Sequence, residues 1–251
     1  MFPMKKWMMA VLLGLISTTA AAADGTHRFY GYAYDKGSGN YLYTEVHEQT
    51  VTDGKWVSGS IKYYAADGAL MGVKQMDFSQ DPYIPIYELK LEYGYREAIT
   101  AVGKKIDMRK QSKDKGEKTD QVKRKDPMAA DSGFHNLLRD RFADLMAGKT
   151  VEFRFIAAGN LDSYRFRAKR IEDTTFEGQD AVRLRAEPDS LLRFVAPALT
   201  LTYEPEQKRL LEYQGISNVH DPATGKAYSD VRIIYPKEAP ADAPKPLPPL
   251  E

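Results

Sequence analysis

Residues 131–149, DSGFHNLLRDRFADLMAGK, decide how the rest of the chain is read. Phe134, Leu137, Leu138, Phe142, Leu145 and Met146 fall at steps i, i+3, i+4, i+8, i+11 and i+12. That spacing lays them along one stripe of a 3.6-residue helix. Arg139, Asp140, Arg141 and Asp144 take the other face. Asp131 or Ser132 can cap the orphan N–H groups at the start. Gly148 stands where a left-handed C-terminal stop is wanted. The pattern predicts one central amphipathic helix at about 131–147. Strand-like sequence lies on both sides of it, so the helix is expected to plug or lid a curved sheet.

Before it, residues 28–34 (RFYGYAY), 40–51 (NYLYTEVHEQTV), 55–64 (KWVSGSIKYY) and 69–78 (ALMGVKQMDF) read as strands. Asp67-Gly68 is a hairpin turn signal between the last two. The simplest arrangement is an antiparallel meander. In the second strand, Tyr41, Tyr43, Glu45 and His47 are expected on one face. Two prolines in 79–86 interrupt the ladder. Residues 87–95 then alternate Tyr87, Leu89, Leu91, Tyr93 and Tyr95 against charges, and 97–109 continue as a strand. Residues 104–126 carry ten Lys or Arg and five Asp or Glu. Interspersed signs favour a solvated loop or long hairpin tip over a patch for anionic lipid or polyanion. After the helix, strands are expected at 150–158, 163–171, 180–186, 198–204, 208–216 and 229–235, with a short helix at 189–195. Strands without βαβ alternation imply a mainly β fold: a curved antiparallel sheet, or open half-barrel.

The ends differ from this pattern. Lys5 and Lys6, the apolar run 7–16 and Ala21-Ala22-Ala23 read as a signal peptide over 1–23, expected to be cleaved on export. The run is too short to span a membrane, which takes roughly 20 residues, and no later stretch is longer. A soluble, not transmembrane, periplasmic protein is expected. The domain expected after it covers 24–236. Residues 237–251 hold five prolines and are expected to be an extended, disordered tail.

Composition narrows function. Lys plus Arg number 36 against 35 Asp plus Glu; without Lys5 and Lys6 the balance is 34 to 35. Nucleic acid as a partner finds no support there. The chain has no cysteine, which excludes disulfides and thiol chemistry. His27, His47, His135 and His220 show no metal-ligand spacing, no Gly-x-Ser-x-Gly elbow is present, and no cofactor is implied. His135 is expected to cap or face solvent, His220 to sit in an ordinary turn, and Glu45 and Glu48 to be solvated. The sixteen tyrosines serve either as cross-strand pairs or as an amphipathic cavity wall.

Residues 199–235, LTLTYEPEQKRLLEYQGISNVHDPATGKAYSDVRIIY, carry a resemblance. A strand, the Tyr-Glu-Pro-Glu turn, a strand with Arg209-Leu210-Leu211, Gly215-Ile216-Ser217-Asn218 and a last strand follow in order. This resembles the end of the periplasmic LolA/LolB lipoprotein-carrier superfamily and related exported domains of unknown function. The resemblance implies an open half-barrel with helices in its concave face, an apolar cavity for acyl chains and a functional arginine. Arg165, Arg167, Arg183 and Arg185 are all candidates for that arginine. The expectation is a non-enzymatic protein binding a lipid, lipoprotein or other amphipathic ligand through Phe134, Leu138, Phe142, Tyr87 and Tyr93. The alternative is a cell-envelope assembly factor whose partner is another envelope protein.

Overall fold

The computed structural model describes residues 24–189 and 198–250. The expected signal peptide, and the expected short helix at 189–195 apart from Asp189, lie outside them.

Local sequence sets the strands. The first meander is β1 (Gly25–Asp35), β2 (Tyr41–Thr52), β3 (Lys55–Ala65), β4 (Leu70–Asp77), β5 (Ile86–Leu91), β6 (Tyr95–Val102), β7 (Lys105–Ser112) and β8 (Gly116–Lys123). Its turns fall where glycine or aspartate accepts a left-handed backbone, as at Asp53, Gly68, Gly94 and Gly116. A short β9 (Met128–Ala130) leads into α1 (Gly133–Asp140) and α2 (Phe142–Met146). The second meander is β10 (Val151–Ala157), β11 (Asp162–Phe176), β12 (Gln179–Pro188), β13 (Leu199–Glu204), β14 (Arg209–Gly215) and β15 (Val231–Ile234).

The fifteen strands among the described residues form one open, curved sheet, in the order β8 to β1, then β15 down to β9. The first and last strands therefore join the two meanders: Tyr32 pairs with Ile234 and Asp35 with Val231. The pairings are antiparallel except β9 on β10. The sheet does not close; β8 and β9 are its edges.

Three features of the first meander differ from expectation. Residues 87–95 are not one strand, because Glu92-Tyr93-Gly94 turn the chain, with Gly94 at φ 103°. Tyr87 and Tyr95 thus lie on neighbouring strands. The stretch 97–109 is likewise divided between β6 and β7, and the charged run beyond it forms the β7–β8 hairpin. A bulge beside Tyr34 removes Tyr41 from the face of Tyr43, so Tyr41 packs edge-on to Tyr34.

The helix pattern holds its stripe but not its continuity. α1 and α2 break at Arg141, and the residue types at 139–142 give no sign of it. Neither cap side chain acts as expected. Ser132 makes no capping bond, and Asp131 (φ 45°) is drawn to Lys74 and Asn218. Gly148 does take the left-handed stop, at φ 77°. Gly133 lets the helix start lie against the 79–86 segment: a Cβ there would come 2.1 Å from the Tyr83 carbonyl oxygen.

Leu137, Leu138, Phe142 and Leu145 are buried with Val151, Phe153, Val182, Leu184 and Tyr203 of the second meander. The first meander builds a separate core around Tyr43, Tyr63, Leu89, Ile99 and Met108. A third, outer cluster holds Tyr32 and Tyr34. The C-terminal segment is extended and lies on that cluster. Ala243 is buried there, Tyr30 Oη donates to the Pro248 carbonyl at 2.6 Å, and Tyr34 Oη donates to Asp242 Oδ1 at 3.0 Å.

Candidate functional site

Inside the curve lies a cavity of about 1340 Å³, lined from both meanders and from α1. Its two walls differ in chemistry because strand phase brings different residue types inward.

On the first meander the inward phase carries charges. In β4, Lys74 shares the buried phase with Gly72 and Met76. Its Nζ donates to both oxygens of Asp131, at 2.9 and 2.8 Å. Asn218 Nδ2 donates to the same carboxylate at 2.9 Å. Burial alone would raise the Asp131 pKa, but Lys74 and the Ser132 bonds outweigh it and hold it below the ordinary range. In β6, Glu97 is 6% exposed. Tyr87 Oη donates to it at 3.0 Å and Tyr95 Oη at 2.7 Å. Burial pushes its pKa up despite those bonds, and the charge of Asp131 adds to the rise. Gly159 closes over this group, since a Cβ there would meet Glu97 Oε2 at 2.3 Å. In β2, Glu45 Oε2 meets His47 Nε2 at 2.7 Å and accepts from Tyr235 Oη at 3.0 Å. His47 in turn stacks on Phe29, with centroids 4.5 Å apart.

The second meander and α1 supply an apolar wall that includes Phe134, Phe155, Phe166, Leu199 and Leu201. Phe134 stacks on Phe153 at 5.2 Å. His135 also faces the cavity. It is no cap, because its Nδ1 is hydrogen-bonded to Tyr203 Oη at 2.8 Å. Desolvation, helped by the Arg139 charge, depresses its pKa to about 3. The imidazole is therefore neutral over the working range.

The five residues singled out in sequence separate. Phe134 and Tyr87 line the cavity together. Leu138 and Phe142 lie behind that lining, 0% and 3% exposed, pressed between helix and sheet. Tyr93 occupies the β5–β6 turn, where its hydroxyl bonds to His220 Nδ1. His220 is accordingly no ordinary turn residue, being also packed on Tyr95 at 4.1 Å. Glu45, expected to be solvated, is 5% exposed; Glu48 pairs at the surface with Arg28. The four candidate arginines are spent on ion pairs: Arg165 with Asp189, Arg167 with Glu187 and Arg183 with Glu172, and Arg185 with Glu187 along β12 itself. None of them lines the cavity.

Sequence reasoning missed Lys74, Glu97 and Asp131. A signal existed for the first two, since each is a charge at the inward phase of an otherwise apolar strand. Among the described residues, no group of three His, Cys, Asp or Glu is placed to hold a metal ion. No helix among them is long and apolar enough to cross a membrane.

No protein-family model matches the chain, and no curated protein matches it in sequence. Among solved structures it is similar to a β-barrel-like protein of the domain of unknown function DUF1849 from Brucella abortus. Identity is 9%, with 87% of this chain and 98% of that chain covered at a TM-score of 0.51. A domain from Vibrio parahaemolyticus assigned to outer-membrane lipoprotein sorting also aligns. It has 9% identity, covers 84% of this chain and 82% of its own, and has a TM-score of 0.23. The likeness to the Brucella protein is one of fold.

Proposed function

We propose that the chain is an exported, non-enzymatic periplasmic protein that holds an amphipathic ligand, a lipid or lipoprotein, in its half-barrel cavity. One observation carries this reading. The cavity of about 1340 Å³ has an apolar wall on one side and a hydrogen-bonding wall on the other. Its volume exceeds the roughly 300–1,000 Å³ common for pockets that take compact ligands, which leaves room for a long acyl chain. Phe134 and Tyr87 form opposite walls; Leu138 and Phe142 support Phe134 from behind. Residues 1–23 supply export, and 24–236 act as one unit, a reading supported by the pairing of the first strand with the last.

The test is mass spectrometry under native conditions on protein purified without denaturation. Co-purified lipid, or uptake of added fatty acid at one or two per chain, is the expected result. A bare spectrum that ignores both fatty acid and lipoprotein would exclude the reading.

A second reading, an envelope assembly factor, has one observation in its favour: β8 is an open edge whose strand is almost wholly exposed. Such an edge can accept a partner's strand, although its lysines oppose this. Replacing residues 113–123 by a short turn would then abolish capture of an envelope partner while the fold persists.

A further inference from the structure

The cavity also contains cations that its buried network does not use. Lys74 is committed to Asp131, and Arg28 pairs with Glu48. Arg139, at the end of α1, and Lys208, in the β13–β14 turn, line the cavity as well. Among the described residues, neither makes an ion pair with a carboxylate. Lys208 Nζ donates to the Arg139 main-chain carbonyl at 3.2 Å, which places the ammonium at the C-terminal end of α1, where Arg139 stands. That bond uses one of three ammonium hydrogens and leaves two. Arg139 Nε is buried without a partner among the described residues. Lys208 holds a left-handed backbone, φ 55°, which a lysine adopts only at a cost.

Asp140 and Glu204, the acids adjoining this pair in α1 and in the β13–β14 turn, are engaged elsewhere. Asp140 accepts from Tyr83 Oη at 2.7 Å. Glu204 accepts the Glu206 and Gln207 amides at 2.8 and 2.6 Å. Glu206 is exposed in the same turn. His135, one helical turn before Arg139, is neutral and adds no charge. The cationic pair borders the apolar wall: Lys208 Nζ lies 6.0 Å from the Phe142 ring centroid, and Phe134, Leu199 and Leu201 line the same cavity.

We infer that Arg139 and Lys208 form an anion-recognition subsite, so that the ligand is an amphiphile with an anionic carboxylate or phosphate head group. The head is held at the end of α1 and the chain runs along Phe134, Leu199 and Leu201. This rests on the reading of the cavity as a ligand site. A guanidinium and an ammonium converging on one anion give charge-assisted hydrogen bonds that an uncharged head cannot make.

The test is calorimetric titration of the full mature chain with oleate, 1-oleoyl lysophosphatidate, oleyl alcohol and inorganic phosphate. Oleate or lysophosphatidate should bind about tenfold or more tightly than oleyl alcohol. Whichever of the two is tighter identifies carboxylate or phosphate as the head. Arg139→Gln with Lys208→Gln should erase that preference while leaving the affinity for oleyl alcohol unchanged. Arg139→Lys should retain most of it, which a merely structural role of Arg139 would not produce. Equal affinity for charged and uncharged amphiphiles would overturn the subsite and leave the cavity reading intact. Failure of all three amphiphiles to bind would overturn both. Binding of inorganic phosphate alone would overturn the amphiphile and make the site one for a small free anion.

Discussion

The two walls of the cavity are built on opposite principles. The wall from β2, β4 and β6 is a set of buried charges, each held by a named partner: Lys74 on Asp131, Tyr87 and Tyr95 on Glu97, His47 and Tyr235 on Glu45. The wall from α1 and the second meander is packed from phenylalanine and leucine, with helix side chains filling the space behind it. A packed wall loses stability in proportion to the volume removed. A wall of committed charges fails differently, because removing one partner strands the other in a medium that cannot solvate it. One cavity therefore offers a ligand both an apolar surface and fixed hydrogen-bonding groups.

The sharpest way to break this comparison is Lys74→Met. It leaves the Asp131 carboxylate buried with only Asn218 and Ser132, and should cost about 3–5 kcal/mol in urea denaturation. A cost below about 1 kcal/mol would mean that the charged wall is not organised by its pairs. Leu138→Ala on the packed side should cost about 2–5 kcal/mol, since this fully buried side chain leaves a void between helix and sheet. Affinity for ligand should change little, because Leu138 does not line the cavity.

His135 gives a pH handle between these extremes. Unfolded, its imidazole takes up a proton below its ordinary value of 6.5; folded, it stays neutral down to about 3. Proton uptake by the unfolded state lowers stability as pH falls through that window. His135→Gln should flatten that decline in a series of denaturation midpoints. Glu97 works in the other sense, since its raised pKa makes the folded state the better proton acceptor just above the ordinary carboxyl range. The smallest effect is expected from Tyr87→Phe, which removes one of the two hydroxyls on Glu97, at about 1 kcal/mol. A loss as large as that of Lys74→Met would show that Glu97 depends on Tyr87 far more than on Tyr95.

Much of the fold was legible in the sequence, because alternation and turn residues are local signals. The strands from Arg28 to Phe78 and from Val151 to Ile234 follow that alternation closely. The helix stripe was legible for the same reason. What failed was non-local. The tyrosine row at 30, 32 and 34 reads as good strand material, and nothing in it indicates that the proline-rich end will lie upon it. The pairing of Lys74 with Asp131 joins positions 57 residues apart across two elements. In sequence, an apolar stripe looks the same whether it faces a cavity or a sheet, so Leu138 and Phe142 are indistinguishable there from Phe134. Tyr93 alternates with Leu91 and Tyr95 in sequence, and the turn at Gly94 takes it off that strand. Lys74 and Glu97 could have been found by asking which charges occupy an inward phase.

Trp56 is the only tryptophan after residue 23, and it lines the cavity. Its fluorescence therefore reports occupancy directly. Titration with fatty acids brominated at successive positions along the chain should quench Trp56 saturably, with unlabelled oleate restoring the emission. Emission unchanged at every bromine position would contradict the claim that this cavity holds an amphiphile.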